Sequence, residues 1–276
     1  MPGYSMVSVP KGSNNQGVPT TKKSAIIIFD FDQVESFVRD DKNIKMSSFF
    51  LKFGVTPIGI FVNETSIDAG DSVEGDAYEK GFLHHVNFQH PGTDQAFAEF
   101  KSAMANANLG AIVVECDPTA TTAKIYGTPC APLKLNKADE VDTNEAHRNE
   151  VEMASVLRSE PAGIIDKNKI PVTDSSEINT LLGLSKQTLT ISFPQASYSK
   201  STTETFDAPT ATTTPKGATV AYTSSDSSVA TVNGTTGAVT LVGAGTCTIT
   251  ATFAGNDSYK SATGSYTLTL TAPAGV

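Results

Sequence analysis

From residue 186 onward the chain alternates in a way that only packed sheets can satisfy. In "GTCTITATFAG" Cys247, Ile249, Ala251 and Phe253 point one way and the threonines the other. A two-residue period this strict belongs to a strand with one buried face. "GSYTLTLT" repeats it with Tyr266, Leu268 and Leu270, and "ATVAYTSS" puts Val220 and Tyr222 on one side. "SVATVNGTTGAVTLVGAG" reads as two strands joined around the turn signal "NGTTG". Strands that each bury one face need a second sheet to cover them. The stretch therefore predicts an all-β sandwich of about 85 residues.

Charge marks where this module begins. Residues 1–185 hold 25 acids and 16 bases, whereas 186–276 hold four of each, so the whole net charge of −9 lies in the first part. The break falls at "VTDSSEINTLLGLSKQT" and predicts two domains, 1–180 and 186–276. An acidic domain is a poor partner for nucleic-acid phosphates, and no basic stripe with interleaved aromatics offsets it. No apolar run approaches the roughly 20 residues that span a bilayer. The start, "MPGYSMVSVPKGSNNQGVPTTKK", has no apolar signal core, so the expectation is a chain made in a cytoplasm, without membrane insertion. Cys116, Cys130 and Cys247 are too few and too scattered for a disulfide framework or a zinc site.

The first part reads as mainly β, of α+β type. "KSAIIIFDFDQV", "AIVVECD" and "AKIYGT" are strands, with further strands expected at 46–53, 57–62, 81–88 and 149–158. One helix is expected, at 93–107. Thr93 would cap it, Phe97, Phe100 and Met104 would form its apolar stripe, and Gly110 would end it. Two long polar segments stand apart: an N-terminal arm, 1–22, and an acidic insertion, 63–80, in which Glu64 to Glu79 carries six acids and no base. A second acidic loop is expected ahead of the strand that ends at "LRSEP".

Several residue groups invite a chemical reading. "AIIIFDFDQVES" ends a strand in Asp30 and Asp32, as dehalogenase-type phosphatases do. That chemistry needs a bend residue after the second aspartate, and Gln33 and Val34 stand there instead. The acidic pair Asp71 and Asp76 follows too soon to leave room for the intervening helices. The plain alternative is a strand with Ile26, Ile28, Asp30 and Asp32 on one face and Ile27, Phe29 and Phe31 on the other. His84 and His85 would point to opposite faces of a strand, which is poor geometry for one metal, and with His90 they read as packing or surface residues. Cys116 and Cys130 have no nearby histidine base. The acidic run lacks EF-hand spacing and reads as a solvated loop. The sequence therefore predicts no enzyme: no catalytic, cofactor-binding or metal-binding residue, and no cofactor.

"AYTSSDSSVATVNGTTGAVTLVGAGTCTITATFAGNDSY" resembles the bacterial immunoglobulin-like repeats of group 2 over about residues 190–271. Tyr222, residues 229–232, Gly237, Gly243, Gly245 and residues 246–252 fall on that pattern, with Tyr222 where the family often has Trp. The family supplies spacer and binding modules of surface adhesins and of structural proteins of tailed phages. The layout of the first part is similar to that of phage tail tube (major tail) proteins: an arm, a β-sandwich or barrel, one packed helix, and often a C-terminal immunoglobulin-like domain. This resemblance implies a virion subunit that forms hexameric rings, stacked around a channel through which DNA passes unbound, with the immunoglobulin-like domain outward. The implied partners are other copies of the chain, other tail proteins, and cell-surface glycans for the C-terminal domain. The implied location is the virion tail. The alternatives are a head decoration or tail adaptor subunit, or a bacterial surface adhesion protein.

Overall fold

The structure, a computed structural model, describes residues 21–76, 79–117 and 119–273. It is mainly β and divides into two compact units. One runs to Ser185 without residues 52–54; the other comprises 52–54 and the chain from Lys186. The N-terminal arm lies almost wholly outside the described residues. Among the described residues no helix is long and apolar enough to cross a membrane.

The first unit contains β1 (Lys22–Asp30), β2 (Val34–Arg39), β3 (Met46–Leu51), β4 (Ile58–Phe61), β5 (Asp68–Glu74), β6 (Gly81–Pro91), α1 (Gln95–Met104), β7 (Leu109–Glu115), β8 (Thr122–Tyr126), β9 (Leu133–Asp142), β10 (His147–Ser155), β11 (Gly163–Asp166) and α2 (Ser176–Leu182). The main sheet runs β11-β8-β7-β9-β10-β6-β5, and β1 joins it between β7 and β4. The sheet curls back on itself. Asn63 N–H donates to the Gln89 carbonyl at 2.9 Å, and Gln89 N–H donates to Ser66 Oγ at 2.9 Å. The result is a closed barrel whose interior holds Ile26, Ile28, Val86, Phe88, Val113, Val151 and Met153, with Phe97 and Phe100 of α1 packed against them.

β1 is apolar on both sides because both sides are covered. Ile26 and Ile28 enter the barrel interior, while Ala25, Ile27 and Phe29 enter a second core made with the β2–β3 hairpin, β8 and α2. The expected division of the strand into two faces holds as far as Phe29. The strand stops at Asp30, and Phe31–Gln33 turns as a 3-10 helix, so Asp32 does not extend the face of Ile26 and Ile28.

Four expectations need correction. The helix cap is Asp94 rather than Thr93: Asp94 Oδ1 accepts from Phe97 N–H at 2.8 Å, while Thr93 Oγ1 meets His147 Nε2 at 3.0 Å. The helix stops at Met104, and Gly110 lies inside β7 opposite Phe29. A second helix, α2, occupies the stretch that read as the domain break. Ser175 caps its start, and Gly183, in the left-handed conformation, ends it. Both expected acidic loops contain strands. Residues 68–74 pair along β6 as β5, and the acids before "LRSEP" lie on the β9–β10 hairpin, which closes through only residues 143–146. Cross-strand charge pairing makes an acidic strand tolerable, as the ion pairs described below show.

The second unit is a β-sandwich of β12 (Gln187–Thr188), β13 (Thr190–Ser192), β14 (Ser197–Ser201), β15 (Thr212–Thr214), β16 (Ala221–Ser224), β17 (Ala230–Val232), β18 (Val239–Leu241), β19 (Gly245–Phe253), β20 (Tyr259–Lys260) and β21 (Ala262–Thr271). A four-stranded sheet, β14-β21-β19-β16, carries the long alternating strands, and the β17–β18 hairpin lies around "NGTTG" as expected. Cys247, Ile249, Ala251, Tyr266, Leu268 and Leu270 all face one core with Tyr222 and Val229. The Tyr222 ring lies against Gly237, where an added Cβ would sit 2.8–3.1 Å from ring atoms and φ is +74°. Both facts favour glycine in that turn.

Candidate functional site

The aspartates of "FDFD" do structural work. Asp30 Oδ1 accepts from Asp32 N–H at 2.9 Å and so caps the 3-10 turn, and Asn108 Nδ2 donates to Asp32 Oδ1 at 3.3 Å. Asp71 is engaged elsewhere, accepting from Ala162 N–H at 2.9 Å.

The histidines part company. His84 is fully buried, with Gly127 N–H and the Glu160 carbonyl at its two ring nitrogens. His85 points to the opposite face, with Nε2 3.5 Å from Asp68. His90 stacks on Phe97 at 4.5 Å, and its Nδ1 lies 2.8 Å from the Phe61 carbonyl. Cys116 and Cys130 are exposed and Cys247 is buried. Among the described residues no group of three or more His, Cys, Asp and Glu side chains is placed to hold a metal ion.

Charged side chains are ordered by strand pairing on the outer face of the four strands β9, β10, β6 and β5. Their inner faces fill the barrel, so alternation sends every second side chain to solvent. Asp139 lies opposite Glu150, Lys137 opposite Glu152, Glu152 opposite Asn87, and Asn87 opposite Asp68. Five carboxylates, from Asp68, Glu74, Asp139, Glu150 and Glu152, share this face with three bases, Lys134, Lys137 and Arg148.

The bases are already engaged within the chain. Lys137 Nζ reaches Glu150 at 3.2 Å, Glu152 at 3.5 Å and Asp139 at 3.8 Å. Arg148 grips the other Glu150 oxygen through Nη2 and Nε, at 2.8 and 3.0 Å. Lys134 Nζ donates to Asn108 Oδ1 at 2.8 Å and to the Ala107 carbonyl at 3.2 Å. The hydrogen bonds from Arg148 and then Lys137 hold the Glu150 carboxyl below the usual carboxylate range, and the bond to Glu150 raises the Lys137 ammonium. These pairs are solvated and contribute little to stability; their effect is to cancel the positive charge locally. The negative charge left over lies towards β5, the last strand of the sheet path.

Sequence reasoning missed this surface because it split the surface into two supposed loops. The signal was present in "KADEVDTNEAHRNEVE", where a four-residue turn separates two stretches of alternating charge.

Residues 187–266 match the family model of the bacterial immunoglobulin-like domain, group 2. No curated protein matches the chain.

Proposed function

We propose that this chain is a non-enzymatic structural protein of a virion, a subunit of the tail tube of a tailed phage. Copies assemble into stacked rings, with six subunits in each, around a channel for DNA. The observation that carries this reading is the broad outer face of β9, β10, β6 and β5, which is acidic in excess and has Lys137 and Arg148 paired with its own carboxylates. A wall of this kind offers phosphates little to bind. At physiological salt its repulsion is screened beyond about 8 Å, so it acts on DNA mainly at close range. The partners on this reading are further copies of the chain and other tail proteins. DNA is cargo rather than ligand, and the immunoglobulin-like domain is left to meet cell-surface glycans.

The test is sedimentation and negative-stain microscopy of the full chain. Rings or hollow tubes are the expected result. Tubes carrying Asp68→Lys with Glu74→Lys should retain duplex DNA at low salt, whereas wild-type tubes should not. A chain that stays monomeric at high concentration would sink the tube reading. The match at 187–266 favours a second reading in that case, a decoration or surface-adhesion protein, since such modules serve there too.

A further inference from the structure

His84 lies on β6 with its ring turned inward, edge-on to Tyr126 at a centroid distance of 6.1 Å. Both ring nitrogens are used, and the partners fix their roles. Gly127 N–H, 2.8 Å from Nδ1, can only donate, so Nδ1 carries no proton. The Glu160 carbonyl, 2.9 Å from Nε2, can only accept, so Nε2 carries the proton. The ring is therefore neutral, and it joins β6 to two segments distant in sequence. One is the turn 127–131 between β8 and β9; the other is the strap 159–162 that leads into β11.

The strap is anchored at its start by a backbone pair, Ser159 with Phe82. β10 leaves β6 after Ala154, which pairs with His85. The next pairing, Phe82 with Ser159, comes two residues late. Val156 and Leu157 are the residues pushed out, 74% and 60% exposed. Beyond Ser159 the ties come from side chains. His84 donates to the Glu160 carbonyl, Arg39 Nη1 to the Pro161 carbonyl at 2.8 Å, and Ala162 N–H donates to Asp71.

A proton on Nδ1 would set one N–H against another across 2.8 Å, with no acceptor between them. The closed arrangement thus excludes the imidazolium form. The charged groups that bear on the ring do not reverse this. Asp71 on β5 and Glu160 in the strap favour the cation, and Arg39 on β2 opposes it. Burial opposes it most strongly and holds the ring below the ordinary histidine range. The Tyr126 phenol on β8 stays neutral, pushed up to about 12.

We propose that His84 is a proton-operated latch. Neutral, it ties the turn 127–131 and the strap 159–162 to β6; protonated, it releases both while the sheet ladder persists. The open ring titrates near about 6.5, so the fraction open should rise about tenfold per pH unit below that value, until the closed ring itself takes up a proton.

The test is amide hydrogen exchange of the full chain from about pH 7.5 to about pH 4.5, corrected for the intrinsic pH dependence of exchange. Protection at Gly127 and Ala162 should hold steady above about pH 6.5 and fall about tenfold per pH unit below it, while Val151 and Met153 keep theirs. His84→Gln retains a donor for the Glu160 carbonyl but does not titrate here, so its pattern should not change with pH. Ring nitrogen NMR shifts of the unaltered protein give a readout that needs no variant. They should report the Nε2–H form at neutral pH, and a neutral ring for as long as the closed form predominates. Protection that does not depend on pH, loss that spreads through the whole unit at once, or equal loss in His84→Gln would each overturn the latch.

Discussion

Phe29 on β1 occupies the space that a side chain at Gly110 on β7 would need. The two residues pair directly across the strands, and a Cβ at Gly110 would overlap the Phe29 ring. Gly110→Ala should therefore destabilise the first unit by about 1–3 kcal/mol through overpacking. Chemical denaturation measures this. In a double-mutant cycle with Phe29→Leu the two losses should fall well short of adding, because the smaller side chain makes room for the methyl.

The second unit should fold as an isolated fragment, since its strands complete their own core. Residues 186–276 are expected to show one cooperative thermal transition. Gly237→Ala in that fragment should cost about 1–3 kcal/mol, because the new methyl meets the Tyr222 ring in a backbone conformation that suits glycine. A fragment with no cooperative transition would contradict the assignment of an independent domain.

The three thiols should divide two against one. Cys116 and Cys130 are exposed, whereas Cys247 is buried and its burial pushes the thiol pKa up. Under native conditions a disulfide reagent should modify two thiols quickly and the third only on unfolding. Mass mapping of the modified peptides identifies which.

Acid should act at Asp166 in a window separate from that of His84. Hydrogen bonding to Lys45 and, less strongly, to Lys169 holds the Asp166 carboxyl below its ordinary value of 3.8. A carboxyl depressed in the folded state adds stability at pH values above its unfolded pKa. That stability is lost as pH falls through the folded value. Stability at about pH 4 to about pH 2 should therefore fall less steeply in Asp166→Asn than in the parent, as urea denaturation across that range would show.

Asp30 should matter as a cap and not as a nucleophile. Asp30→Asn keeps an acceptor for Asp32 N–H and should be close to neutral, while Asp30→Ala should cost about 0.5–2 kcal/mol. Magnesium-dependent phosphomonoester hydrolysis that vanishes in Asp30→Asn would contradict both this assignment and the non-enzymatic reading.

The C-terminal sandwich was legible because its strands each bury a single face, so the two-residue period of Cys247, Ile249 and Ala251 appears in the letters. In the first unit, β3, β4, β6 and β10 were found from their apolar residues. β5 and β9 were missed because their carboxylates look like loop residues until the strands pair, which sets Asp68 opposite Asn87 and Lys137 opposite Glu152. α2 carried visible signals, Ser175 before it and Gly183 after it, but lay in a stretch that read as a boundary. The setting of His84 could not be read at all. Its ring partners, Gly127 and Glu160, lie 43 and 76 residues away in the chain, and no local pattern announces such a contact.

The double burial of β1 bears on how the chain is made. Its apolar run leaves the ribosome roughly 80 residues ahead of β7, and α2, which helps cover the second core, comes later still. For that interval the nascent chain carries "AIIIF" with the β2–β3 hairpin and β4 as its only partners, a short β-prone segment without charge. The strand that joins the two cores of the mature unit is thus a segment for a chaperone to shield during synthesis.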